Sequence, residues 1–312
     1  MSQIALCFHL APPQYRRLAD AVGNDQLVDL TGECMREDAI PESFKRCEIA
    51  FGNPPASWLG DAEGLRWVQL ESVGFGEYMD LDWHHLQSRL TLTNLAGFFA
   101  EPVAETALAG LLALLRGIDR LTSLKSEGHW EGDPIRTGLR LLHRRHVVLV
   151  GYGAINQKLA ALLAPFECRI DFVRSNSPAE TLDAALATAE IVVCAAPDTV
   201  STRQMFDAKR LALLPETALF ANLGRGSIVD EAALVDALRQ QRLAGALLDV
   251  TQTEPLPKNH PLWECPNTLL TQHSGGGTDD EIDRKIDVFL ANLDRYRRNE
   301  RLQGVIDIKR GY

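Results

Sequence analysis

The chain has 312 residues, which is long for a single hydrophobic core and predicts two domains. Hydrophobic residues make up 46% of it and charged residues 24%, a balance that is typical of a globular protein and not of a disordered or fibrous one. The formal net charge of −10 argues against nucleic acid or an anionic membrane as a general partner. A local arginine pocket would still attract an anionic substrate.

The six cysteines are scattered singly and show neither a CxxC pair nor a spacing typical of metal ligands. Such thiols are typical of a reducing compartment, so we expect a cytoplasmic protein without a metal site. The first residues lack the basic segment of a signal peptide, and the longest apolar run, Ala107–Leu115, is too short to span a membrane. We therefore expect no membrane partner.

The first hundred residues alternate short apolar runs with turns, which predicts an α/β arrangement with parallel strands. Helices are expected between the strands, one of them at Pro13–Ala21. The predicted strands are Ile4–Leu10, Ile49–Phe51, Trp67–Leu70 and Leu90–Thr93.

A single long helix is predicted after these strands, starting at Glu101 and Pro102 and stopping at Gly128. Its apolar residues cover more than one face, so it needs a second burial partner. Two interpretations remain open, a helix sandwiched between two domains and a helix at a subunit interface.

From His146 onward the pattern is strongly βαβ and predicts a doubly wound, Rossmann-type parallel sheet of six or seven strands. The predicted strands are Val147–Val150, Arg169–Val173, Ile191–Ala195, Ala218–Leu223, Ala246–Val250 and Thr268–Thr271, and the helices are Ala154–Leu163 and Glu231–Gln240. Thr278–Glu281 reads as a capping box for a last helix that ends near Arg298. Val305–Ile308 is expected to add to the first domain.

A dinucleotide site is predicted where the strand at Val147 leads through two glycines into a helix. Gly151 and Gly153 allow a tight turn and a close approach to a pyrophosphate. The free N–H groups at Ala154 and Ile155, in the first turn of the helix, stabilise the negative charge of the pyrophosphate. Asn156 occupies the third glycine position of the pattern, which implies a slightly different placement of the helix. A purely structural turn is the alternative.

Arg174 and Ser175 stand where the second strand of such a fold would supply an acid to the ribose of NAD. A guanidinium at this point can stack on adenine and pair with a 2′-phosphate, and Ser175 can add a hydrogen bond. We therefore predict that NADP(H) is the preferred cofactor, with NAD(H) as the alternative. The competing interpretation of Arg174 is a solvated side chain without selectivity.

Further cofactor contacts are expected in other loops at the carboxyl edge of this sheet. Pro197 and Thr202 follow one strand, and for the threonine a structural role is weighed equally. Leu223 and Gly224 end the next strand and begin its loop. Asp249 ends an apolar strand, and an acid at that depth needs a partner. The nicotinamide carboxamide is one candidate partner, and a structural pair is the other.

Arg225, Glu254 and His273 each follow a predicted strand of this sheet, and they are the groups that the reduction of a 2-keto acid requires. The arginine binds the substrate carboxylate and polarises the keto oxygen, and the histidine donates the proton. A carboxylate beside an imidazole favours the protonated form of the ring. Gly224 and Gly226 let the backbone around Arg225 approach a ligand. The alternatives are a surface salt bridge for Arg225 and a merely exposed position for His273.

These motifs make the chain resemble the D-isomer-specific 2-hydroxyacid dehydrogenase family over nearly its whole length. The matching segments are Ala104–Thr106, Gly151–Gly153, Pro197–Thr199, Asn222–Gly226, Leu248–Val250, Glu254–Leu256, His273 and Arg310–Tyr312. The chain departs from the family at Asn156, at Gln272, where proline usually precedes the histidine, and at Thr106, where histidine is frequent. None of these departures removes a catalytic group.

The resemblance implies a dinucleotide-binding Rossmann domain over residues 99–281 and a smaller, flavodoxin-like α/β substrate domain built from residues 1–98 and 282–312. It also implies a homodimer that packs through the 101–127 helix.

The resemblance further implies a substrate loop at Ser72–Gly76. The backbone N–H groups of Val73 and Gly74 would hold the substrate carboxylate together with Arg225. Phe51, Tyr78, Phe98 and Phe99 either line an apolar substrate pocket or belong to the core.

Chains of the family with a basic residue in place of the ribose-binding acid resemble NADPH-dependent glyoxylate and hydroxypyruvate reductases. The predicted function is therefore hydride transfer from NADPH to a small 2-keto acid, which gives the D-2-hydroxy acid. Two alternatives remain. One is an NAD(P)-binding sensor or scaffold of the same fold without turnover. The other is NAD-dependent oxidation of another small anion, such as formate or phosphite.

Overall fold

The computed structural model describes residues 2–36 and 39–308, so the predicted match at Arg310–Tyr312 lies outside the described residues. The chain divides into two compact units. The smaller unit is Met1–Phe98 with Thr278–Tyr312, and the larger unit is Phe99–Gly277.

In the described part of the chain, eleven strands form two sheets. They are β1 (Gln3–Leu6), β2 (Gln26–Asp29), β3 (Ile49–Phe51), β4 (Trp67–Gln69), β5 (Thr91–Thr93), β6 (His146–Val150), β7 (Arg169–Val173), β8 (Ile191–Cys194), β9 (Leu219–Asn222), β10 (Gly245–Leu248) and β11 (Thr268–Leu270).

Twelve α-helices accompany them within the same residues. They are α1 (Pro12–Val22), α2 (Thr31–Arg36), α3 (Glu42–Lys45), α4 (Ala56–Asp61), α5 (Trp83–Leu86), α6 (Ala100–Arg116), α7 (Ile118–Ser126), α8 (Ala154–Leu163), α9 (Ala179–Leu186), α10 (Ala208–Leu211), α11 (Glu231–Arg239) and α12 (Glu281–Arg297).

The smaller unit is built on a five-stranded parallel sheet in the order β2-β1-β3-β4-β5. This is the flavodoxin-like strand order, so the predicted fold of this unit is confirmed. Two apolar clusters belong to the unit, as expected when both faces of a parallel sheet are covered. Phe51 and Tyr78 are fully buried within them and belong to the core.

Helix α12 completes one face of this sheet although it comes late in the sequence. Its Phe289 ring stacks on Phe51 at 4.3 Å and on Trp67 at 5.3 Å between ring centroids. The predicted addition at 305–308 is also found, because Val305 bridges Thr93 in the antiparallel sense and Ile306 is buried in the core. The smaller unit is therefore assembled from two separate stretches of chain.

The larger unit contains a six-stranded parallel sheet in the order β7-β6-β8-β9-β10-β11. One apolar cluster includes residues of α6 and α8, and a second includes residues of α9, α10 and α11. Helices of both sets pack on the sheet, so the predicted doubly wound fold is confirmed. A Cβ on Gly110 of α6 would lie 2.6 Å from Leu247 of β10, which shows how closely the two elements pack.

The prediction of one continuous helix over 101–127 is wrong. Gly117 has φ +62° and ends α6 in the left-handed conformation, after which α7 begins at Ile118. Glycine adopts this conformation without the steric cost that a side chain imposes, so the chain can turn between the two helices.

The predicted capping box at Thr278–Glu281 is also wrong. Asp280 is the residue before the first turn of α12, its side chain makes no capping hydrogen bond, and the Thr278 hydroxyl instead donates to the Asp280 carboxylate. The first strand ends at Leu6 and not at Leu10. Strand β2 was not predicted because Gln26–Asp29 is short and exposed or only half-buried, without an apolar run.

Candidate active site

The polar residues singled out from the sequence of the larger unit lie at one edge of its sheet. Because all six strands are parallel, the loops that follow them meet at the carboxyl edge. Arg174 follows β7, Arg225 follows β9, Asp249 follows β10, and His273 comes shortly after β11.

Glu254 and His273 form a hydrogen-bonded pair at this edge. Nδ1 of His273 lies 2.7 Å from Oε2 of Glu254, and Oε1 of Glu254 accepts a hydrogen bond from the N–H of Thr251 at 2.9 Å. Since an ionised carboxylate only accepts hydrogen bonds, Nδ1 must carry the proton of this bond. Nε2 of His273 has no protein partner among the described residues, and the side chain is 52% exposed.

The electrostatic setting keeps Glu254 ionised. Burial acts to raise the pKa of Glu254, but the hydrogen bonds from His273 and Thr251 outweigh it and hold this pKa below its ordinary value. The positive charge of Arg225 acts in the same direction. The pair therefore combines a carboxylate with an imidazole whose second nitrogen is open to solvent.

The backbone at His273 is unusual. Gln272 and His273 have φ angles of +55° and +57°, in the left-handed region. The N–H of His273 donates to the carbonyl of Asp249 at 2.6 Å, which fixes the turn. Proline is restricted to a φ near −65°, so it could not occupy position 272 in this conformation. The departure at Gln272 is therefore consistent with the path of this loop.

Arg225 lies on a turn that the side chain of Asn222 stabilises by two hydrogen bonds. Nδ2 of Asn222 donates to the carbonyl of Arg225 at 2.9 Å, and Oδ1 of Asn222 accepts from the N–H of Gly224 at 3.1 Å. Asn222 is 1% exposed. Its function in positioning the turn was not recognised from the sequence, where it was noted only as part of a family motif.

The two glycines beside Arg225 are also required by the packing of the protein itself. A Cβ on Gly224 would lie 2.5 Å from the carbonyl oxygen of Ala196, and a Cβ on Gly226 would overlap the backbone of Thr251. Both glycines therefore accommodate neighbouring loops of the protein. The close approach that they allow is between protein backbones.

A cavity of about 390 Å³ adjoins this pair. Its lining combines the ionisable groups at the sheet edge with apolar side chains from the following loops. The lining residues are Leu248, Asp249, Thr251, Glu254, Pro255, Leu256, Trp263, Leu270, Gln272 and His273.

The glycine turn after β6 fits a dinucleotide pyrophosphate. Gly151 has φ +99°, and a Cβ on it would lie 3.1 Å from the carbonyl oxygen of Ala195. A Cβ on Gly153 would meet nothing within 4 Å, so the turn has open space on that side. Gly153 has no side chain that could cap α8, and the N–H groups of Ala154 and Ile155 donate to no acceptor among the described residues, so they are available to an anion.

Asn156 strengthens this turn. It is fully buried, and its Nδ2 donates to the carbonyls of Val150 and Gly151, both at 2.9 Å. The residue that replaces the third glycine of the pattern thus ties the first turn of α8 to the end of β6.

The remaining predicted cofactor residues differ in burial and in the hydrogen bonds that they form within the protein. The Thr202 hydroxyl donates to the carbonyl of Pro197 at 2.6 Å, which stabilises their own loop. Ser175 is exposed, and it is Ser177 whose hydroxyl accepts the N–H of Arg174 at 3.0 Å. Leu223 is buried at the start of the Arg225 loop.

Asp249 has one oxygen held by the protein. Its Oδ1 accepts hydrogen bonds from the hydroxyl of Thr271 at 2.6 Å and from the N–H of Gly275 at 3.0 Å. Its Oδ2 has no hydrogen-bond partner in the described part of the chain. Thr106 of α6 donates to the carbonyl of Gly275 at 3.1 Å and so fixes the same loop.

In the smaller unit, the loop at Val73 and Gly74 is held by its carbonyl groups. The Ser72 hydroxyl donates to the carbonyl of Gly74 at 2.6 Å, and Nδ2 of Asn94 donates to that of Val73 at 2.8 Å. Asn53 donates to the Ser72 hydroxyl at 3.1 Å. Among the described residues, the N–H groups of Val73 and Gly74 donate to no protein acceptor.

Two properties of the described residues bear on other function classes. Across residues 2–36 and 39–308, no group of three or more His, Cys, Asp or Glu side chains could hold a metal ion. Within the same residues, every helix is too short or too polar to cross a membrane.

Comparison with known proteins identifies the family. The family model for the NAD binding domain of D-isomer specific 2-hydroxyacid dehydrogenases matches residues 108–275. A glyoxylate reductase of Thermofilum pendens is 30% identical over 76% of this chain and 74% of its own length. The mitochondrial formate dehydrogenase of Solanum tuberosum is 33% identical over 86% of this chain and 74% of its own length.

Among solved structures, an NADPH-dependent glyoxylate/hydroxypyruvate reductase from Sinorhizobium meliloti in complex with citrate is 25% identical to this chain. The match covers 99% of this chain and 98% of the other, with a TM-score of 0.80. The chain therefore belongs to the D-isomer specific 2-hydroxyacid dehydrogenase family. It is an NAD(P)-dependent oxidoreductase.

Proposed function

We propose that this enzyme reduces a small 2-keto acid of the glyoxylate or hydroxypyruvate type to the D-2-hydroxy acid, with NADPH as the preferred cofactor. The observation that carries the proposal is the 2.7 Å hydrogen bond between His273 and Glu254 at the sheet edge that also bears Arg225. The names of the Thermofilum pendens and Sinorhizobium meliloti relatives support the substrate class.

The nicotinamide cofactor supplies the hydride when it is bound. Arg225 binds the substrate carboxylate and polarises the keto oxygen. In the smaller unit, Val73 and Gly74 are assigned as substrate-binding residues, because their N–H groups donate to no described protein acceptor and suit a carboxylate. Nε2 of His273 donates the proton that converts this oxygen into the hydroxyl. Glu254 accepts the hydrogen bond from Nδ1 of His273 and so keeps the ring oriented.

We assign the cofactor to the larger unit through Gly151, Gly153, Ala154 and Ile155 at the pyrophosphate, and through Arg174 with Ser175 at the 2′-phosphate. Further contacts are assigned to the loops after three strands and include the free oxygen of Asp249 at the nicotinamide carboxamide. These further contacts come from Pro197, Thr202, Leu223, Gly224 and Asp249. The smaller unit then serves as the substrate domain.

Oxidation of NADPH and NADH at 340 nm with glyoxylate, hydroxypyruvate, pyruvate and phenylpyruvate tests the proposal. We expect turnover with at least one of these acids and a higher kcat/KM with NADPH than with NADH. Equal efficiency with both cofactors would remove the assignment of Arg174. If folded protein that binds NADP(H) shows no turnover with any of the four acids, the sensor interpretation is favoured.

The similarity to a plant formate dehydrogenase supports one competing function, the NAD-dependent oxidation of a small anion. Formate and phosphite offered with NAD⁺ in the same assay separate the two. Growth of the 340 nm signal with either anion, without any reduction of a 2-keto acid, would replace the proposed substrate class.

We also propose a homodimer that packs through residues 101–127, now seen as two helices. Ile118 and Leu121 on α7 are exposed apolar side chains, and Trp130 beyond them is 92% exposed. Apolar side chains exposed in this number along one segment are typical of an interaction surface. Size-exclusion chromatography with light scattering tests it, and a clean monomer would exclude the dimer.

The proposed cytoplasmic location rests on cysteine chemistry. All six cysteines are free thiols, and five of them are buried. Unpaired thiols are typical of proteins in a reducing compartment. Cell fractionation followed by immunodetection tests this location.

A further inference from the structure

The residue between the two glycines of the dinucleotide turn has a contact that the turn itself does not require. The guanidinium carbon of Arg174 lies 3.7 Å from the centroid of the Tyr152 ring. A glycine turn needs small residues at 151 and 153, whereas any side chain that points outward satisfies position 152. The aromatic ring at Tyr152 therefore calls for its own explanation.

We propose that Tyr152 is a positioning residue that holds the Arg174 guanidinium ready for the 2′-phosphate of NADP and thereby selects NADP over NAD. This inference rests on the proposed preference for NADPH. It assigns to Tyr152 a role in selectivity that acts through Arg174 and not through direct contact with the phosphate.

The first support is that the Tyr152 ring is itself fixed. Phe172 of β7 packs edge-on against it, with ring centroids 4.9 Å apart and an interplanar angle of 80°. Phe172 in turn packs on the core of the larger unit. Phe172, which is fixed in the sheet, therefore holds the Tyr152 ring in place, and the Tyr152 ring holds Arg174.

The second support is the chemistry that the stacking leaves open. A guanidinium has two faces, which stack, and an edge of five N–H donors, which bind anions. Tyr152 covers one face of Arg174. In the described part of the chain the Arg174 side chain forms no ion pair or hydrogen bond, so its donor edge is available to a phosphate. The opposite face is left for the adenine ring.

The third support is the cost of ordering a long side chain. A free arginine loses rotamer freedom when it binds an anion, and a partner that orders it beforehand removes part of that loss. The free energy of an exposed cation–π contact corresponds to about a twofold to fivefold change in an equilibrium constant. We expect a change of this size in the NADPH/NADH preference.

The competing explanation is that Tyr152 merely covers Phe172. Two substitutions separate the explanations. Tyr152→Phe keeps the aromatic face, whereas Tyr152→Leu keeps an apolar side chain over Phe172 but removes that face. Arg174→Ala removes the proposed phosphate ligand and serves as the reference for a complete loss of selectivity.

Dissociation constants for NADPH, NADH and adenosine 2′,5′-bisphosphate, measured by calorimetry on the full-length wild type and the three variants, test the inference. Melting temperatures of all four proteins show whether they fold. We expect Tyr152→Leu to weaken the binding of NADPH and the bisphosphate about twofold to fivefold while the binding of NADH is unchanged. We expect Tyr152→Phe to retain the wild-type ratio of the NADPH and NADH dissociation constants.

The inference is overturned if Tyr152→Leu leaves the ratio unchanged, if it weakens NADPH and NADH equally, or if Tyr152→Phe loses selectivity as Tyr152→Leu does. A failure of the proposed function looks different. In that case the wild type itself binds NADPH and NADH equally, and Arg174→Ala changes neither constant. Selectivity that depends on Arg174 but not on Tyr152 would overturn the inference alone.

Discussion

In the larger unit, the carboxyl edge of the sheet carries ionisable side chains, namely Arg225, Glu254 and His273. In the smaller unit, the loop at Val73 and Gly74 instead presents backbone N–H groups, and neutral side chains hold its carbonyls. A guanidinium and oriented peptide N–H groups are two kinds of group that bind carboxylates in proteins.

A sequence shows the charged side chains of the larger unit but not the backbone N–H groups of the smaller one. A charged side chain that follows a buried strand can be recognised directly, because a charge at the edge of a buried segment needs a hydrogen-bonding or charged partner. Free N–H groups give no such signal, because their exposure depends on which way the carbonyls of the same loop are held. Asn53 and Asn94 set that direction here, and neither residue stood out from the sequence.

The largest expected effect comes from removing the proposed proton donor of the larger unit. His273→Ala should lower kcat by roughly 10²- to 10⁴-fold, because a positioned general acid contributes about that much. The dissociation constant for NADPH should stay near the wild-type value, since His273 is not assigned to the cofactor.

His143→Ala is the matched control, because His143 is an exposed histidine of the same unit that lies away from the sheet edge. Steady-state kinetics with calorimetry measures both quantities. Wild-type turnover of His273→Ala would exclude this residue from the mechanism.

The next effect separates two glycines of the larger unit. Gly226→Ala places a methyl group on the Thr251 backbone, and overpacking of this kind costs about 1–3 kcal/mol or more in the free energy of unfolding. Gly153→Ala places its methyl group in open space and should leave that free energy nearly unchanged while it weakens NADPH binding. Chemical denaturation and cofactor titration check the pair, and equal stability of the two variants would contradict the assigned packing.

A smaller effect is expected in the smaller unit. Asn53→Ala removes the hydrogen bond that Asn53 donates to the Ser72 hydroxyl and the one that it accepts from the N–H of Glu71, so the loop at Val73 loses its support. The KM for the 2-keto acid should rise by roughly tenfold with a smaller change in kcat. Asn24→Ala, at an exposed position of the same unit, is the control. A lower kcat at constant KM would mean that the loop does not bind substrate.

The smallest effect concerns stability and pH. Because the pKa of Glu254 is lowered in the folded protein, its contribution is present at neutral pH and is lost as the pH falls through that lowered value. Glu254→Gln should therefore melt below the wild type at neutral pH, and the gap should close as the pH falls into acid through the lowered pKa of Glu254. Thermal melts across this range measure the gap. A gap that widens in acid would reverse the assigned direction.

Most of the fold could be predicted because its signals are local. Strand β7 and helix α8 begin and end at the predicted residues, since apolar residues alternate along the strand and a glycine turn precedes the helix. The break at Gly117 could not be predicted, because a glycine between two helix-forming segments is tolerated inside helices as well. Strand β2 owes its existence to pairing with β1 and not to its own sequence.

The site was predictable only in part. Glu254 and His273 follow neighbouring strands of a parallel sheet, so their meeting follows from the strand pattern. The left-handed backbone of Gln272 and the support of Arg225 by Asn222 depend on contacts between loops that are distant in sequence or on the local path of the chain. Such features become visible only in the structure.

The stacking of Phe289 on Phe51 and Trp67 has a consequence for the order of biosynthesis. A ribosome releases the strands of the smaller unit first, but the helix that covers one face of their sheet emerges only after the whole larger unit. Until then the apolar face around Trp67 stays uncovered, while the contiguous larger unit can already fold. Because exposed apolar surface favours aggregation, we expect nascent chains that stop before Glu281 to be the ones that recruit chaperones.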